Sequence, residues 1–530
     1  MSVIEQPRSQ EQAGATRHLK IYRYAPEDAG ARYDEFEVPV EGCKTVFDAL
    51  RWIQLHCDPS LSLRHSCLHA SCGTCGVRVN GHEVLACVCE LADLEDEIRV
   101  EPLANMPAIT DVVVDMSPFY ERLPDPHPII RISEVLPDAL PPNGLDAYMR
   151  LEDCIECAVC VSACPIAASA TDFVGPAALA AAGRLLEEPR GSEREEVLAW
   201  AGAPHGVWDC TTCMACVQVC PAGIDHLPAI IDMRRALVEQ GDVDPLLART
   251  LQNFAVQGNS YGRSARTRAR WTKALDFRIP DARTEPVEYV WFVGDFASFD
   301  ERVTLASQRL ARMLHEAEVS FGLLYEGERS AGNDVRRIGE EGLFEALVEH
   351  NLSVLGQAEF KAIFTTDPHS LNTLRNEYPQ YGLDTPVYHY TELLIALVTH
   401  GAVQLTPTLK GTRVTYHDPC YLARYNHITD PPRELIRATG CELVEMPRHG
   451  VDTFCCGAGG GRIWMSESDG GERPSEQRIR EAQALGDIDY FVVSCPKDLT
   501  MYADAANTIG AEFEVVELTT LLEHAVAGEM

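Results

Sequence analysis

The hydrophobic and polar positions change period along the chain, and each change marks a predicted element. From residue 18 apolar and polar residues alternate through LKIYRYA and, after a charged turn, through YDEFEVPV. This alternation predicts a β-hairpin. A helix is predicted over 45–57, because Val46, Leu50 and Ile53 recur at helical spacing on one face.

Three helical patterns follow between residues 165 and 245. GPAALAAAGRLLEE and SEREEVLAWAG each begin at a residue suited to a helix start, a proline or a serine. LPAIIDMRRALVEQ, over 227–240, is the third. We therefore expect a helical domain in this part of the chain.

A connector is predicted over 246–285. Its GNSYGRSARTRARW part carries four arginines: Arg263, Arg266, Arg268 and Arg270. A basic patch in an acidic chain could dock an acidic partner, and a solvated linker helix is at least as good an interpretation.

From Val287 buried-strand patterns alternate with helical ones, which predicts an α/β domain with a parallel sheet. VEYVWFVGDF, EVSFGLLY and FKAIFTT are the strand candidates. The same order of elements recurs from about residue 412. We infer an internal duplication with halves of about 110 residues.

Length, charge and cysteine content narrow the class of protein. The 530 residues are enough for roughly three or four domains. Residues 1–17 lack the apolar core of a signal peptide, so we expect a disordered leader and a cytoplasmic protein. Twenty cysteines then indicate metal thiolates rather than disulfides. A formal net charge of −35 argues against binding nucleic acid or anionic lipid.

Two copies of one cysteine run lie in the middle of the chain. Each has the spacing Cys-x2-Cys-x2-Cys-x3-Cys-Pro that holds [4Fe–4S] clusters in ferredoxins, where the fourth cysteine reaches over to the other cluster. Zinc would instead favour isolated CxxC pairs. One cluster is assigned to Cys154, Cys157, Cys160 and Cys220, and the other to Cys164, Cys210, Cys213 and Cys216.

An earlier cysteine group has the plant-type [2Fe–2S] spacing, three clustered thiolates and a distant fourth. Gly73 and Gly76 lie where the backbone must pass close to the cluster. Cys89 is a rival fourth ligand that the spacing disfavours, and Cys43 and Cys57 are interpreted as ordinary small buried residues. The proposed ligands are Cys67, Cys72, Cys75 and Cys87.

Six motifs mark the N-terminal part, over roughly 18–245: IYRYAPE, LRHSCLHASCGTCGVRVNGHEVLAC, ITDVVVDMSPFYERL, CIECAVCVSACP, FVGPAALAAAGRL and GVWDCTTCMACVQVCPAGI. With these motifs this part resembles the iron–sulfur subunits of succinate dehydrogenases and fumarate reductases. In that family electrons pass singly from a covalent-flavin subunit through three clusters towards quinone. Many relatives carry an aliphatic residue at the position of Cys213 and hold a [3Fe–4S] cluster. This chain departs from them by its cysteine there, so we expect a [4Fe–4S] cluster instead.

Three cysteine-containing motifs mark the C-terminal part: HDPCYLARYNHI, FCCGAGGGRIWM and SCPKDLTMYADA. With these motifs this part resembles the CCG domain of heterodisulfide reductase catalytic subunits and quinone-linked iron–sulfur oxidoreductases. The family pattern ends in CxxC, and here the last position is Asp498. A further [4Fe–4S] cluster would therefore have a carboxylate ligand or one iron without a protein ligand. Alternatively the cluster is lost, and the cysteines are packing residues or the remnant of a zinc site. The candidate ligands are Cys420, Cys455, Cys456 and Cys495, with Asp498.

The preceding half resembles a degraded copy of this domain. Where relatives carry cysteines, this chain has Asp295, Ser330, Asp367 and Ser370. Aspartate and serine hold an iron–sulfur cluster poorly, so we expect no cluster and a scaffolding role there. GAGGGR, over 457–462, lacks the GxGxxG spacing and context of a dinucleotide loop, so neither flavin nor NAD is expected on this chain.

Together these patterns predict a multidomain protein of mixed α+β and α/β class. Its parts are a disordered leader (1–17), a β-grasp [2Fe–2S] ferredoxin domain (18–108), an α-helical two-cluster ferredoxin domain (109–245), a connector (246–285), a degenerate CCG-like half without cysteines (286–404) and a CCG half with cysteines (405–530).

Three clusters in series and a candidate fourth, without a catalytic residue, suit an electron-relay subunit of an oxidoreductase. The layout resembles the iron–sulfur subunits of thiol:fumarate reductases that fuse these two parts. That resemblance implies an FAD-dependent succinate/fumarate partner and an acceptor that is quinone, a membrane-anchor subunit or a thiol/disulfide pair. The alternatives are a partner acting on a 2-hydroxy acid or acyl-CoA, and a C-terminal half that only docks. Any location at the inner face of the membrane would come through another subunit.

Overall fold

The computed structural model describes residues 16–28, 30–124, 150–187, 194–466 and 471–526. The predicted leader lies outside the described residues as far as residue 15. Its last two residues, Thr16 and Arg17, are already paired in the first strand, opposite Pro39 and Val38. The first residues of the predicted SEREEVLAWAG helix also lie outside the described residues, and its helix is seen from Arg194.

A five-stranded sheet forms the first unit, in the order β2-β1-β5-β3-β4. β1 pairs with β2 as the predicted antiparallel hairpin and with β5 in parallel. The predicted helix is Val46–His56, and it begins at a capping box between Thr45 and Asp48. The strands are β1 (Thr16–Arg23), β2 (Arg32–Pro39), β3 (Gly76–Val79), β4 (His82–Leu85) and β5 (Glu97–Glu101).

A buried arginine ties a following hairpin to this sheet. The hairpin is formed by β6 (Ala108–Thr110) and β7 (Val113–Val114). Nε of Arg23 donates to Asp111 at 3.0 Å, and the backbone N–H of Ser62 donates to the same carboxylate at 2.8 Å. Arg23 is 3% exposed, so this ion pair fixes the hairpin and the segment that enters the first cysteine loop.

The second unit consists mainly of short helices and loops. Two of the predicted helices are Pro176–Glu187 and Leu227–Gln240, and the second ends at a left-handed Gly241. Further helices in the described part of this unit are Ser117–Glu121, Val159–Ser162, Pro165–Ser169, Arg194–Gly202 and Ala215–Gln218.

Two four-stranded parallel sheets form the rest of the chain. Their orders are β11-β10-β8-β9 and β13-β12-β14-β15, so the second repeats the topology of the first. The strands are β8 (Tyr289–Trp291), β9 (Phe321–Gly322), β10 (Ala362–Thr365), β11 (Val387–His389), β12 (Arg413–Tyr416), β13 (Glu442–Leu443), β14 (Tyr490–Val493) and β15 (Glu514–Glu517).

Helices cover both sheets and extend the apolar cores between them. In the first half they are Asp295–Phe299, Glu301–Glu316, Asn333–Ile338, Glu341–Leu355, Pro368–Asn372 and Tyr390–Thr399. In the second half they are Cys420–Asn426, Asp430–Ala438, Pro474–Gln483, Pro496–Ile509 and Leu518–Ala525. Across the described ranges, no helix combines the length and apolarity that a membrane crossing requires.

The four arginines of the connector differ in exposure, because Arg263, Arg266 and Arg270 are exposed and Arg268 is buried. The connector begins as a helix, Pro245–Gln257, and continues in turns. Arg268 is 2% exposed and donates to Asp295 and to Glu328, both at 2.8 Å. One of the four arginines is therefore an internal ion-pair partner of the first α/β half, and it is removed from any docking surface.

Candidate iron–sulfur sites

The plant-type site is a loop that directs backbone N–H groups at sulfur. The N–H of Ser71 donates to Sγ of Cys67 at 3.2 Å, and the N–H of Ala70 donates to Sγ of Cys87 at 3.4 Å. Leu68 and Ala70 adopt left-handed backbone, which turns these N–H groups inward. Such donors stabilise thiolate, the form that binds iron.

The thiols of this site titrate differently because their surroundings differ. The hydroxyl of Thr74 and nearby backbone N–H groups lower the pKa of Cys72 to about 6. Burial raises the pKa of Cys75 to about 12, and its thiol is hydrogen-bonded with that of Cys87. The structure thus brings Cys87 to the predicted ligands, whereas Cys89 packs against the neighbouring apolar core.

Two other cysteines were predicted to be buried, and one of these predictions is wrong. Cys43 is buried, as expected. Cys57 is exposed, because it follows the last turn of helix Val46–His56 as its C-cap.

Gly73 brings the plant-type site against the next one. Its backbone is left-handed, with φ of +69°, and a Cβ there would lie 2.7 Å from Cβ of Cys157 and 2.8 Å from the carbonyl oxygen of Ile155. The sequence explained this glycine by the approach of backbone to its own cluster. The structure shows that the close neighbour is the first cysteine run, and a larger residue would separate the two sites.

The two ferredoxin sites are small cavities, each lined by one of the predicted ligand sets. Cys154, Cys157, Cys160 and Cys220 line the first. Cys164, Cys210, Cys213 and Cys216 line the second. In each set three cysteines come from one run and the fourth from the other, as the spacing predicted. Burial raises the pKa of Cys157 in the first set and of Cys216 in the second, and repulsion between thiolates that lie close together within each set raises it further.

Both runs fold alike. Glu156 and Ala158 in the first run, and Thr212 and Met214 in the second, adopt left-handed backbone at equivalent positions. The N–H of Thr212 donates to Sγ of Cys210 at 3.3 Å. Burial raises the pKa of most of these thiols, so metal must displace their protons when it binds.

The C-terminal site collects its candidate ligands from three separate segments. Cys420 opens helix Cys420–Asn426, Cys455 and Cys456 lie in the loop before the glycine run, and Cys495 caps helix Pro496–Ile509. The carboxylate of Asp498 lies against the thiols of Cys456 and Cys495. All five residues predicted from the sequence are therefore brought to one place.

The surroundings of the Asp498 carboxylate are those of a potential metal ligand. It is 3% exposed, and its Oδ2 has no hydrogen-bond partner within the part of the chain that the structure describes. Burial raises its pKa to about 7. A buried carboxylate oxygen without a donor is costly unless a metal or a proton satisfies it, so the residues present fit a cluster at this site.

The second ferredoxin site and the C-terminal site meet through their cysteines. The side chains of Cys213 and Cys455 pack against each other, and Cys420 packs against this pair. Sγ of Cys455 donates to the hydroxyl of Thr211 at 3.4 Å. The neighbouring thiol of Cys455 and burial together raise the pKa of Cys213 well above its ordinary value.

The glycine-rich loop that follows Cys456 makes this contact possible. A Cβ on Gly459 would lie 2.3 Å from the carbonyl oxygen of Thr211, and one on Gly460 would lie 2.7 Å from that of Cys210. Arg234 links the loop to the second ferredoxin site, because it donates to the carbonyls of Cys210 at 2.6 Å and Gly460 at 3.0 Å. We call this contact between the two sites the joint. The loop is a packing surface between domains, which explains its glycines without a nucleotide.

Several residues around this joint gave no signal in the sequence. Tyr425 donates to the carbonyl of Thr212 at 2.6 Å, and Arg424 donates to that of Cys213 at 3.1 Å. Their partners lie more than two hundred residues away, so local spacing could not reveal them. Only the HDPCYLARYNHI motif as a whole marked the segment.

In the cysteine-less half, four residues occupy the positions where relatives carry cysteines, and each has a hydrogen-bond or ion-pair partner within the protein. Asp295 pairs with Arg268, and the hydroxyl of Ser370 donates to Asp367 at 2.7 Å. The hydroxyl of Ser330 accepts from the N–H of Gly332 at 3.3 Å. An internal ion pair and hydrogen bonds thus occupy most of the corresponding region.

Comparison with known families assigns three parts of the chain. Residues 18–121 match the 2Fe-2S iron–sulfur cluster binding domain, 150–224 the 4Fe-4S dicluster domain, and 414–500 the cysteine-rich domain called CCG. The fumarate reductase iron–sulfur subunit of Mycobacterium tuberculosis is 39% identical over 222 residues, which are 40% of this chain and 89% of that protein. Over this part the chain belongs to the family of fumarate reductase iron–sulfur subunits.

Other relatives extend beyond this part. A subunit of the CoM/CoB fumarate reductase of Methanothermobacter marburgensis is 27% identical over 97% of this chain and 100% of its own length. The EtfAB:quinone oxidoreductase of Syntrophomonas wolfei is 38% identical over 59% of this chain and 46% of its own. The chain spans about half the length of the curated relatives that it matches most strongly.

A solved structure shares the fold over nearly the whole chain. It is a hypothetical protein from Helicobacter pylori, with a TM-score of 0.60 and 11% identity. The match covers 97% of this chain and 95% of that one. At this identity it shows the fold alone.

Proposed function

We propose that this chain relays single electrons between a flavoprotein partner and an acceptor reached through its C-terminal site. The contact between Cys213 and Cys455 carries the proposal, because it joins the ferredoxin half to the CCG half ligand to ligand. Gly73 makes the corresponding contact at the other end, against Cys157. Four sites therefore form one continuous series.

Each site has its own proposed ligands. Iron–sulfur clusters, when bound, gain or lose one electron with little rearrangement. The protein holds them on rigid loops, excludes water and places N–H donors against sulfur. The proposed ligands are Cys67, Cys72, Cys75 and Cys87 for a [2Fe–2S] cluster, Cys154, Cys157, Cys160 and Cys220 for one [4Fe–4S] cluster, Cys164, Cys210, Cys213 and Cys216 for a second, and Cys420, Cys455, Cys456, Cys495 and Asp498 for a fourth cluster.

Burial at the C-terminal site bears on the acceptor. Cys455 and Cys495 are each 1% exposed and Cys456 is 5% exposed, whereas Cys420 is only half-buried. A bulky disulfide could not reach the three buried sulfurs directly, so transfer through the protein edge near Cys420 to a quinone or a protein acceptor fits better. A membrane-anchor subunit would then hold the chain at the inner face of the membrane.

The flavoprotein partner is proposed to interconvert succinate and fumarate with FAD. The names of the Mycobacterium tuberculosis and Methanothermobacter marburgensis relatives support this assignment. Purification of the complex and assay of succinate oxidation and fumarate reduction test it. A complex that performs neither reaction overturns it.

A second candidate comes from the Syntrophomonas wolfei relative, whose name describes electron transfer from EtfAB to quinone. In this case the partner would be an electron-transferring flavoprotein, an acyl-CoA dehydrogenase or a 2-hydroxy acid dehydrogenase. Reduction of the clusters by such a flavoprotein, together with no response to succinate, would favour this function over the first.

A further inference from the structure

Two donor groups of the cysteine-less half point at the C-terminal site. The donor atoms of Asp367, His369 and Cys495 all lie within 4.8 Å of one another. Asp367 and His369 belong to the first α/β half, and Cys495 belongs to the second. A carboxylate, an imidazole and a thiolate are all ligands that iron accepts.

The repeated topology explains why these residues meet. In the first half β10 runs into Thr366-Asp367-Pro368 and a helix, and in the second half β14 runs into Ser494-Cys495-Pro496 and a helix. Asp367 therefore occupies the position that corresponds to Cys495. Nζ of Lys497 pairs across the halves with Asp334 at 2.7 Å, which shows that the two loops face each other.

The surroundings of His369 orient its ring. His369 is 5% exposed, and its ring centroid lies 4.2 Å from that of Tyr421, the residue after Cys420, with the two rings tilted by 35°. Its Nδ1–H donates to Oδ1 of Asn333 at 3.3 Å. A histidine fixed through one nitrogen presents the other as a metal ligand, an arrangement common in protein metal sites.

A second histidine near the site is less suited to this role. His417 is also buried, and its Nε2 lies 3.7 Å from Oδ2 of Asp498. The hydroxyl of Tyr502 and Nε of Arg478 are hydrogen-bonded to its ring, at 3.1 and 3.3 Å. Both of its nitrogens are therefore engaged by protein groups.

We propose that His369 is a ligand of the C-terminal cluster, with Asp367 as its neighbouring carboxylate, so that both halves of the duplicated domain hold one cluster. This chain has Asp498 where the family pattern has its last cysteine, so one thiolate ligand is missing. The imidazole of His369, from the opposite half, supplies a further donor. This inference rests on the proposed fourth cluster. It replaces the expectation of a purely scaffolding first half.

The test is pulsed EPR of the full chain with its clusters assembled. The chain is grown once with ordinary histidine and once with ¹⁵N-histidine, and the paramagnetic state of the C-terminal cluster is examined. A directly ligated imidazole gives a strong nitrogen coupling that changes with the isotope. We expect this coupling in the wild type and its loss in His369→Leu and His369→Cys.

Iron content separates ligation from folding. His369→Cys is expected to retain the cluster, because a thiolate replaces the imidazole, whereas His369→Leu is expected to lose up to about four irons per chain. His350→Leu is the matched control, because His350 lies in the same half and its ring is hydrogen-bonded to the Gly327 carbonyl at 2.9 Å, away from the cysteines. It should leave both readouts unchanged.

Two results would overturn the inference, and they differ in what else they remove. A C-terminal cluster without isotope-sensitive coupling, or with coupling that survives in His369→Leu, removes the role of His369 alone. A wild-type chain that assembles only three clusters removes this inference together with the proposed C-terminal site.

Discussion

Cys213 is the residue on which two sites depend. It lines the cavity of the second ferredoxin site, and its side chain packs against Cys455 of the C-terminal site. Spacing predicted the first role, because residues of one run are close in sequence. Nothing in the spacing predicted the second, since the two cysteines are 242 positions apart.

Replacing Cys213 by alanine should convert the second ferredoxin cluster to a [3Fe–4S] form. Three of its four thiolates remain, and one iron loses its protein ligand. Oxidised-state EPR should show the signal typical of a [3Fe–4S] cluster, at unchanged abundance of the other clusters. Cys441→Ala is the control, because Cys441 is buried elsewhere and accepts from Thr439 at 3.2 Å. An unaltered spectrum for Cys213→Ala would contradict the assignment.

Asp498 should contribute to the C-terminal cluster. Asp498→Ala removes the buried oxygen that lacks a donor, and we expect weaker retention of the cluster on dilution or chelation. Asp498→Cys restores the CxxC pattern and should retain iron at least as well as the wild type. Asp504→Asn, an exposed position on the same helix, should behave as the wild type. Equal iron loss in all three variants would argue against ligation by Asp498.

Single elements show where sequence reasoning succeeded. Helices over 45–57 and 227–240, the hairpin and the alternation of strands and helices from Val287 were predictable, because each has a strong local period. The strands themselves are short, as β8 spans only Tyr289–Trp291. The apolar pattern therefore located the buried segments better than it located the hydrogen-bonded residues.

The burial of Arg268 in the connector could not be predicted from local sequence, because it depends on two distant carboxylates. Arg268→Met should leave Asp295 and Glu328 buried without their cation, which costs about 3–5 kcal/mol for a broken buried pair. We expect a lower thermal unfolding midpoint, measured by circular dichroism. Arg266→Met, at an exposed position of the same segment, should have no measurable effect. An equal effect of both substitutions would show that the buried ion pair is unimportant.

The glycine loop should set the distance between the two halves of the relay. Gly459→Ala places a Cβ against the Thr211 carbonyl and must push the loops apart. Electron transfer from the ferredoxin clusters to the C-terminal cluster should slow, measured by rapid freeze-quench, while iron content stays the same. Gly342→Ala, where only Oε1 of Glu340 lies within 4 Å, is the control. Unchanged transfer in Gly459→Ala would mean that this contact does not set the rate.

At the scale of the whole molecule, the spacing of the cysteines proposes the ligand sets but carries no information on their order in space. Cysteine spacing proposes the ligands of each site because most of the cysteines in one set are close together in the sequence. The joints between sites are made by Gly73, Arg234, Gly459 and the Cys213–Cys455 pair, which act across domains. These joints turn separate cluster-binding domains into one series.

The most direct test of that series is the magnetic interaction between its last two clusters. EPR relaxation of the second ferredoxin cluster is measured in the wild type and in Cys420→Ser, which should lack or alter the C-terminal cluster. If the sites meet as the structure shows, the wild-type signal broadens and relaxes faster when the C-terminal cluster is paramagnetic, and Cys420→Ser abolishes the effect. Identical relaxation in the two proteins, with four clusters present in the wild type, would contradict a relay that runs through this contact.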